Sequence, residues 1–183
     1  TALEPPNHRG RRRAGWIAVA ITALALAATV ALVILRVGWP TGGPQPAIAS
    51  ARGQVQILRD GQRIPADTGG RIRSGERLLT GPNGSTDLHL ADGTSIRIGG
   101  STDVGFAQDK ASRQVQLKMG AMRCDVAEQP AGQPLVFQTP HAELTVLGTA
   151  FELLATPVES RVRVLEGRVR WTAGGRSVEV AAG

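Results

Sequence analysis

The chain has 183 residues, 42% of them hydrophobic, a formal net charge of +6 and one cysteine. That length allows one ordinary domain with something left over. The lone Cys124 excludes an intramolecular disulfide scaffold and argues against a structural zinc site, which usually needs four ligands. The charge is unevenly spread: residues 1–50 hold five arginines against Glu4, a net of +4, while residues 51–183 hold sixteen Lys and Arg against fourteen Asp and Glu, a net of +2.

In chain order, residues 1–13 form a basic flank with Arg9, Arg11, Arg12 and Arg13. Next comes "AGWIAVAITALALAATVALVIL", Ala14 to Leu35, without a charged residue. At ~1.5 Å per residue a helix of this length crosses a hydrocarbon core of ~30 Å. A signal peptide has a shorter apolar core of ~7–15 residues. We therefore expect a single transmembrane α-helix over 14–37. Positive residues mark the cytoplasmic side of a span, which puts the N-terminus inside and the large C-terminal part outside. Charge in that place reads as a topology signal, not as a nucleic-acid surface. Residues 38–50, "GWPTGGPQPAIAS", read as an extended Pro/Gly linker.

From Ala51 the pattern alternates with period two. "GQVQIL" sets Val55 and Ile57 against Gln54 and Gln56, and "STDLHL" sets Leu88 and Leu90 against Asp87 and His89. "SIRI", "VGFA", "QVQLKM", "MRCDV", "ELTV", "FELL", "RVRVL", "RVRW" and "SVEV" follow, separated by turn signals such as "RDGQ", "GPNG", "ADGT", "GGST", "MGAM", "LEGR" and "AGGR". Short alternating strands predict an all-β, two-sheet sandwich-like domain over 51–183. A β-solenoid is the rival, and the irregular spacing of "GQVQIL", "GAMRCDV" and "GRVRW" speaks against it. Val55, Leu88, Leu90, Ile96, Ile98, Val115, Leu117, Val146, Phe151, Val162, Val164 and Trp171 are the expected core. Gln54, His89, Arg97, Gln116 and Arg163 are expected outside.

Few residues offer chemistry. Cys124 shares a strand face with Met122 and Val126, which suits a small core hydrophobe. His141 and Glu143 share a face, as do Asp87 and His89; either pair could be half of an acid/base or metal site, but a solvated strand face explains both. No nucleophile elbow, phosphate loop, zinc-protease helix or paired-cysteine motif occurs, so no cofactor, metal or conventional enzyme activity is expected. Arg161, Arg163, Arg168 and Arg170 lie on two strands joined by "EG" and are the candidate surface for an acidic partner, with solubilising edge charge as the plainer explanation.

The pair Gly148–Thr149 interrupts "TVLGTAFEL". Its plain reading is a bend, since glycine weakens a strand and a threonine hydroxyl can cap a turn. Its chemical reading is self-cleavage. Attack of the Thr149 hydroxyl on the Gly148 carbonyl would move the acyl group from nitrogen to oxygen and leave an ester that water can open. His141, near in sequence, is a guess at the base.

In order, "RGQVQIL", "RIRSGERLLTGPNGSTDLHLADGTSIRI", "RQVQLKMGAMRCDVAEQ", "PLVFQTPHAELTVLGTAFEL" and "VRVLEGRVRW" resemble the FecR family of bacterial membrane regulators. The resemblance covers most of Ala51 to Trp171, and the Leu-Gly-Thr-x-Phe element is its most specific part. It implies a cytoplasmic segment that binds an extracytoplasmic-function sigma factor, one inner-membrane span and a periplasmic β domain that receives a signal from a periplasmic or outer-membrane protein. Some relatives are split at this Gly-Thr. Cys124 departs from the family by standing where an aromatic is usual. The chain starts at Thr1 and closes on Gly183 just after a strand-like segment, so a piece of a longer protein is expected, with the sigma-binding residues upstream and the C-terminus truncated. The first expectation is a single-pass regulator of a sigma factor in the inner membrane. The alternative is a membrane-anchored spacer presenting a distal ligand-binding domain.

Overall fold

Period-two alternation from Ala47 onward builds fourteen strands, and no helix, in the residues that the structure describes: 45–108, 113–130 and 133–183 of a computed structural model. The expected basic flank and membrane helix at 1–37 lie outside the described residues. Among those described, no helix is long and apolar enough to cross a membrane.

The strands are β1 (Ala47–Arg52), β2 (Val55–Arg59), β3 (Gln62–Pro65), β4 (Arg77–Thr80), β5 (Ser85–His89), β6 (Ser95–Ile98), β7 (Asp103–Gln108), β8 (Arg113–Val126), β9 (Leu135–Gln138), β10 (Glu143–Val146), β11 (Thr149–Ala155), β12 (Ser160–Glu166), β13 (Arg168–Ala173) and β14 (Arg176–Ala181). β1 starts inside the segment expected to be linker, because Ile48 there finds Leu88 across the β1–β5 pair and is buried.

All fourteen strands belong to one hydrogen-bonded network, which divides at β8 into two leaves. Leaf A runs β1-β5-β6-β8-β11-β12; leaf B runs β3-β2-β4-β7-β8-β9-β10-β13-β14. Every pairing is antiparallel except β8 with β9, so the sheet is mixed. The all-β expectation holds, but the two sheets are leaves of one sheet.

The long strand β8 corrects the sequence reading. "MGAM" is not a turn between two strands. Residues 113–119 pair with β7 and β9, residues 120–126 pair with β6 and β11, and the strand passes between leaves at Gly120, where φ is 104°. "LEGR" likewise does not close a hairpin: β12 pairs with β11, whereas β13 pairs with β10 and β14.

The inner faces meet in one apolar core. Phe137 of leaf B and Phe151 of leaf A touch edge to face, with ring centroids 5.0 Å apart and planes at 87°. Ten of the twelve expected core residues are buried; Val162 and Trp171 are partly buried against the same cluster. Gln116 is half-buried, while Gln54, His89, Arg97 and Arg163 are exposed as expected. Polar clamps tie the rim. Glu76 is bonded by the Arg59 guanidinium and by the Arg73 amide. Burial alone would raise the Glu76 carboxyl, and these donors outweigh it, leaving the group below its ordinary range.

Candidate functional site

The Gly148–Thr149 pair sits at a corner where the chain changes leaf. β10 ends at Val146 in leaf B and β11 begins at Thr149 in leaf A, so residues 147–148 are the crossing. The return crossing, at Gly167 between β12 and β13, lies against it. The Thr149 side chain is buried, and its hydroxyl donates to the Arg168 carbonyl oxygen at 2.9 Å. The Ala182 amide donates to the Gly167 carbonyl at 3.1 Å. A β-carbon at 148 would come 3.3 Å from the Glu128 Cα, a tight contact to which the facing segment would have to yield. Its φ is not positive, so no left-handed strain is stored at the bond.

The segment facing this corner is pinned by Gln129. Its amide N–H donates to the Leu147 carbonyl at 2.6 Å, and its buried side chain donates to Asp92 at 3.0 Å and to the Ala127 carbonyl at 2.6 Å. Asp92 also receives Arg113 at 2.8 Å and the Thr94 amide at 2.9 Å. Burial raises the Asp92 carboxyl, the donors from Thr94, Gln129 and Arg113 outweigh that, and the group ends below its ordinary range. Residues 127–129 after β8 are therefore tied beside Gly148.

Around the corner opens a cleft of about 930 Å³, lined in part by Asp125, Glu128, Glu166, Arg168 and Arg170. Asp125 and Glu166 both stand opposite Ala150, one residue beyond Thr149. No local pattern associates these carboxylates with the Gly-Thr pair, because the association depends on strand register. A buried threonine hydroxyl beside the peptide carbonyl of an exposed glycine, with carboxylates in the same cleft, has the parts for an acyl shift.

The other candidates scatter. His141 is ruled out as the base: its Nε2 lies 3.2 Å from the Thr156 carbonyl oxygen, beyond the far end of β11, roughly 20 Å of strand from Thr149. Glu143 is exposed on β10. Asp87 is held below its usual range by hydrogen bonds from Arg97 and Ser50, each 2.8 Å long, while His89 is exposed beside it. Among the described residues, no group of three or more His, Cys, Asp or Glu could hold a metal ion. Cys124 is fully buried opposite Ile96 and Phe151, and burial pushes its thiol well up, away from the reactive thiolate. The four arginines part company: Arg161 and Arg163 lie on the outer face of leaf A, and Arg168 and Arg170 border the cleft.

Comparison with known proteins agrees with this architecture. No curated protein matches the chain. Two crystal structures of a candidate anti-sigma factor from Parabacteroides distasonis ATCC 8503 resemble it with TM-scores of 0.53 and 0.52, at 20% identity over 58% of this chain. The chain spans about half the length of those proteins, 51% of each, and at that identity the likeness concerns the fold alone. The FecR protein family matches residues 76–170, which run from the residue before β4 into β13 and include all of β8 and both leaf crossings. The chain belongs to the FecR family.

Proposed function

We propose that this chain is part of a single-pass inner-membrane regulator of an extracytoplasmic-function sigma factor, with the β domain on the periplasmic side and the N-terminus in the cytoplasm. The observation that carries this reading is the FecR match over 76–170, laid on the β8-centred core of the domain. The uncharged Ala14–Leu35 stretch and the arginines before it support the topology. A change at the β domain would pass through the span to a cytoplasmic sigma factor, with no small-molecule chemistry required. Deleting the gene should change, together, transcripts from promoters that share one sigma-factor consensus. An unchanged transcriptome under the inducing and non-inducing conditions tried would favour the spacer reading instead. For the topology, a phosphatase fused after Gly183 should be active only when exported; activity of a cytoplasmic reporter at the same position would reverse the assignment.

The Gly148–Thr149 bond is the place where such a regulator could be split by its own chemistry. The Thr149 hydroxyl must leave the Arg168 carbonyl, lose its proton and attack the Gly148 carbonyl carbon; the amide nitrogen of Thr149 then departs with a proton, and water opens the resulting ester. Purified protein held at neutral pH should yield, by mass spectrometry, a fragment beginning at Thr149 that is absent from Thr149→Ala. A chain that stays intact leaves the pair with its architectural role alone.

A further inference from the structure

Strand register sets six side chains in a straight row across the outer face of leaf A: Ser50, Asp87, Arg97, Arg123, Glu152 and Arg163, one from each strand of that leaf. Asp87 and Arg97 satisfy each other at 2.8 Å. The other end of the row is not satisfied. Arg97 stands directly opposite Arg123, a like-charge pairing that costs stability. Arg123 and Arg163 share the one carboxylate of Glu152, at 3.7 and 3.9 Å, too far for good hydrogen bonds. These side chains border a groove of about 500 Å³ that also takes in Arg161 and the exposed Leu154.

The row runs out at an open edge. β12 is the last strand of leaf A, and among the described residues no strand pairs with its other side. Arginines on an edge strand ordinarily discourage pairing. Here the edge also carries an excess of positive charge: the guanidiniums of Arg123, Arg161 and Arg163 face two carboxylates, Glu159 at 2.9 Å from Arg161 and Glu152 shared by the other two. We propose that the β12 edge is a docking site for an extended acidic segment of another protein, added as a strand beside β12 with carboxylates two residues apart.

The chemistry fits one occupant. Arg161 and Arg163 are two residues apart and point to the same face, so a paired strand with acids at i and i+2 places a carboxylate beside each. Its backbone satisfies the free edge. A second copy of this chain fits badly, because two antiparallel β12 strands would set arginines against arginines. The inference concerns leaf A alone and does not depend on the sigma-factor reading, so its failure would leave that reading standing.

The test uses the full chain in detergent micelles and a labelled short peptide of alternating Glu and Val, followed by fluorescence anisotropy. Its isomer with all Glu in one block and a single-stranded oligothymidylate serve as comparisons. The alternating peptide should bind about tenfold more tightly than its blocked isomer, and Arg161→Ser/Arg163→Ser should lose about tenfold, the effect of two cross-strand charge pairs. Both side chains are exposed, so the double variant should fold, which circular dichroism checks. Hydrogen exchange of β12 amides should slow when the peptide is bound. Equal binding of the two isomers, equal or tighter binding of the oligonucleotide, full binding by the double variant, or unchanged β12 exchange would each overturn the proposal.

Discussion

Replacing Gly120 by alanine is expected to abolish folding at ambient temperature or to cost at least about 4 kcal/mol, a value reserved for a few severe mechanisms. Two such mechanisms coincide here. The φ of 104° is outside the range that an L side chain adopts without strain, worth about 1–3 kcal/mol. A β-carbon would also come 2.5 Å from the Thr102 Cα and 2.7 Å from its Cβ, so backbone and not merely a flexible side chain must move. Thr102 cannot yield easily: it is 1% exposed, and its amide donates to the Thr80 hydroxyl at 2.9 Å. Against a total stability of about 5–15 kcal/mol for a typical domain, such a loss is most of the margin. Urea melts followed by far-ultraviolet circular dichroism would show it. A loss below about 1 kcal/mol would mean that β8 does not pass from leaf to leaf at this residue.

Phe151→Ala is expected to cost about 3–5 kcal/mol, the usual range for removing a buried aromatic. The ring is fully buried, stands between Cys124 and Val164 in the pairing register and meets Phe137 from the opposite leaf edge to face. Cys124 is a small neighbour, so little nearby volume can fill the cavity, which points to the upper half of the range. Phe137→Ala should behave similarly, and the double variant should lose less than the sum by about 0.5–1.5 kcal/mol, the coupling of an aromatic pair. Strict additivity would show that the two rings are not partners, and a loss under about 1 kcal/mol for Phe151→Ala would put that residue on the wrong face.

Burial was legible because alternation is local. Val55 and Ile57 against Gln54 and Gln56 declare a face without any knowledge of the partner strand, and the turn signals at 60–61, 81–84 and 91–94 act within a few residues. What stayed hidden depends on contacts distant in sequence. The glycine of "MGAM" has the composition of a turn, and only the presence of partners on both leaves makes it a passing point within one strand. "LEGR" has the look of a hairpin, yet the strand waiting for β13 is β10. The same limit governed the candidate site. Gly148 and Thr149 stand out as an interruption, but Asp125 and Glu166 come beside them through register and Glu128 through the segment after β8, and the polar row of leaf A assembles from six strands that share no local pattern.

The double membership of β8 also makes it the strand that joins two otherwise separate ladders. Before residues 113–126 are made, the earlier strands can form two separate ladders, β1-β5-β6 and β3-β2-β4-β7, with no strand in common. Each would expose an open edge, β6 in one and β7 in the other, which invites pairing with a foreign chain. The arrival of a single strand closes both edges at once, joining β6 through its second half and β7 through its first. A chain that lacked residues 113–126 would keep both of those edges open, so one fourteen-residue strand is what turns two ladders into one sheet.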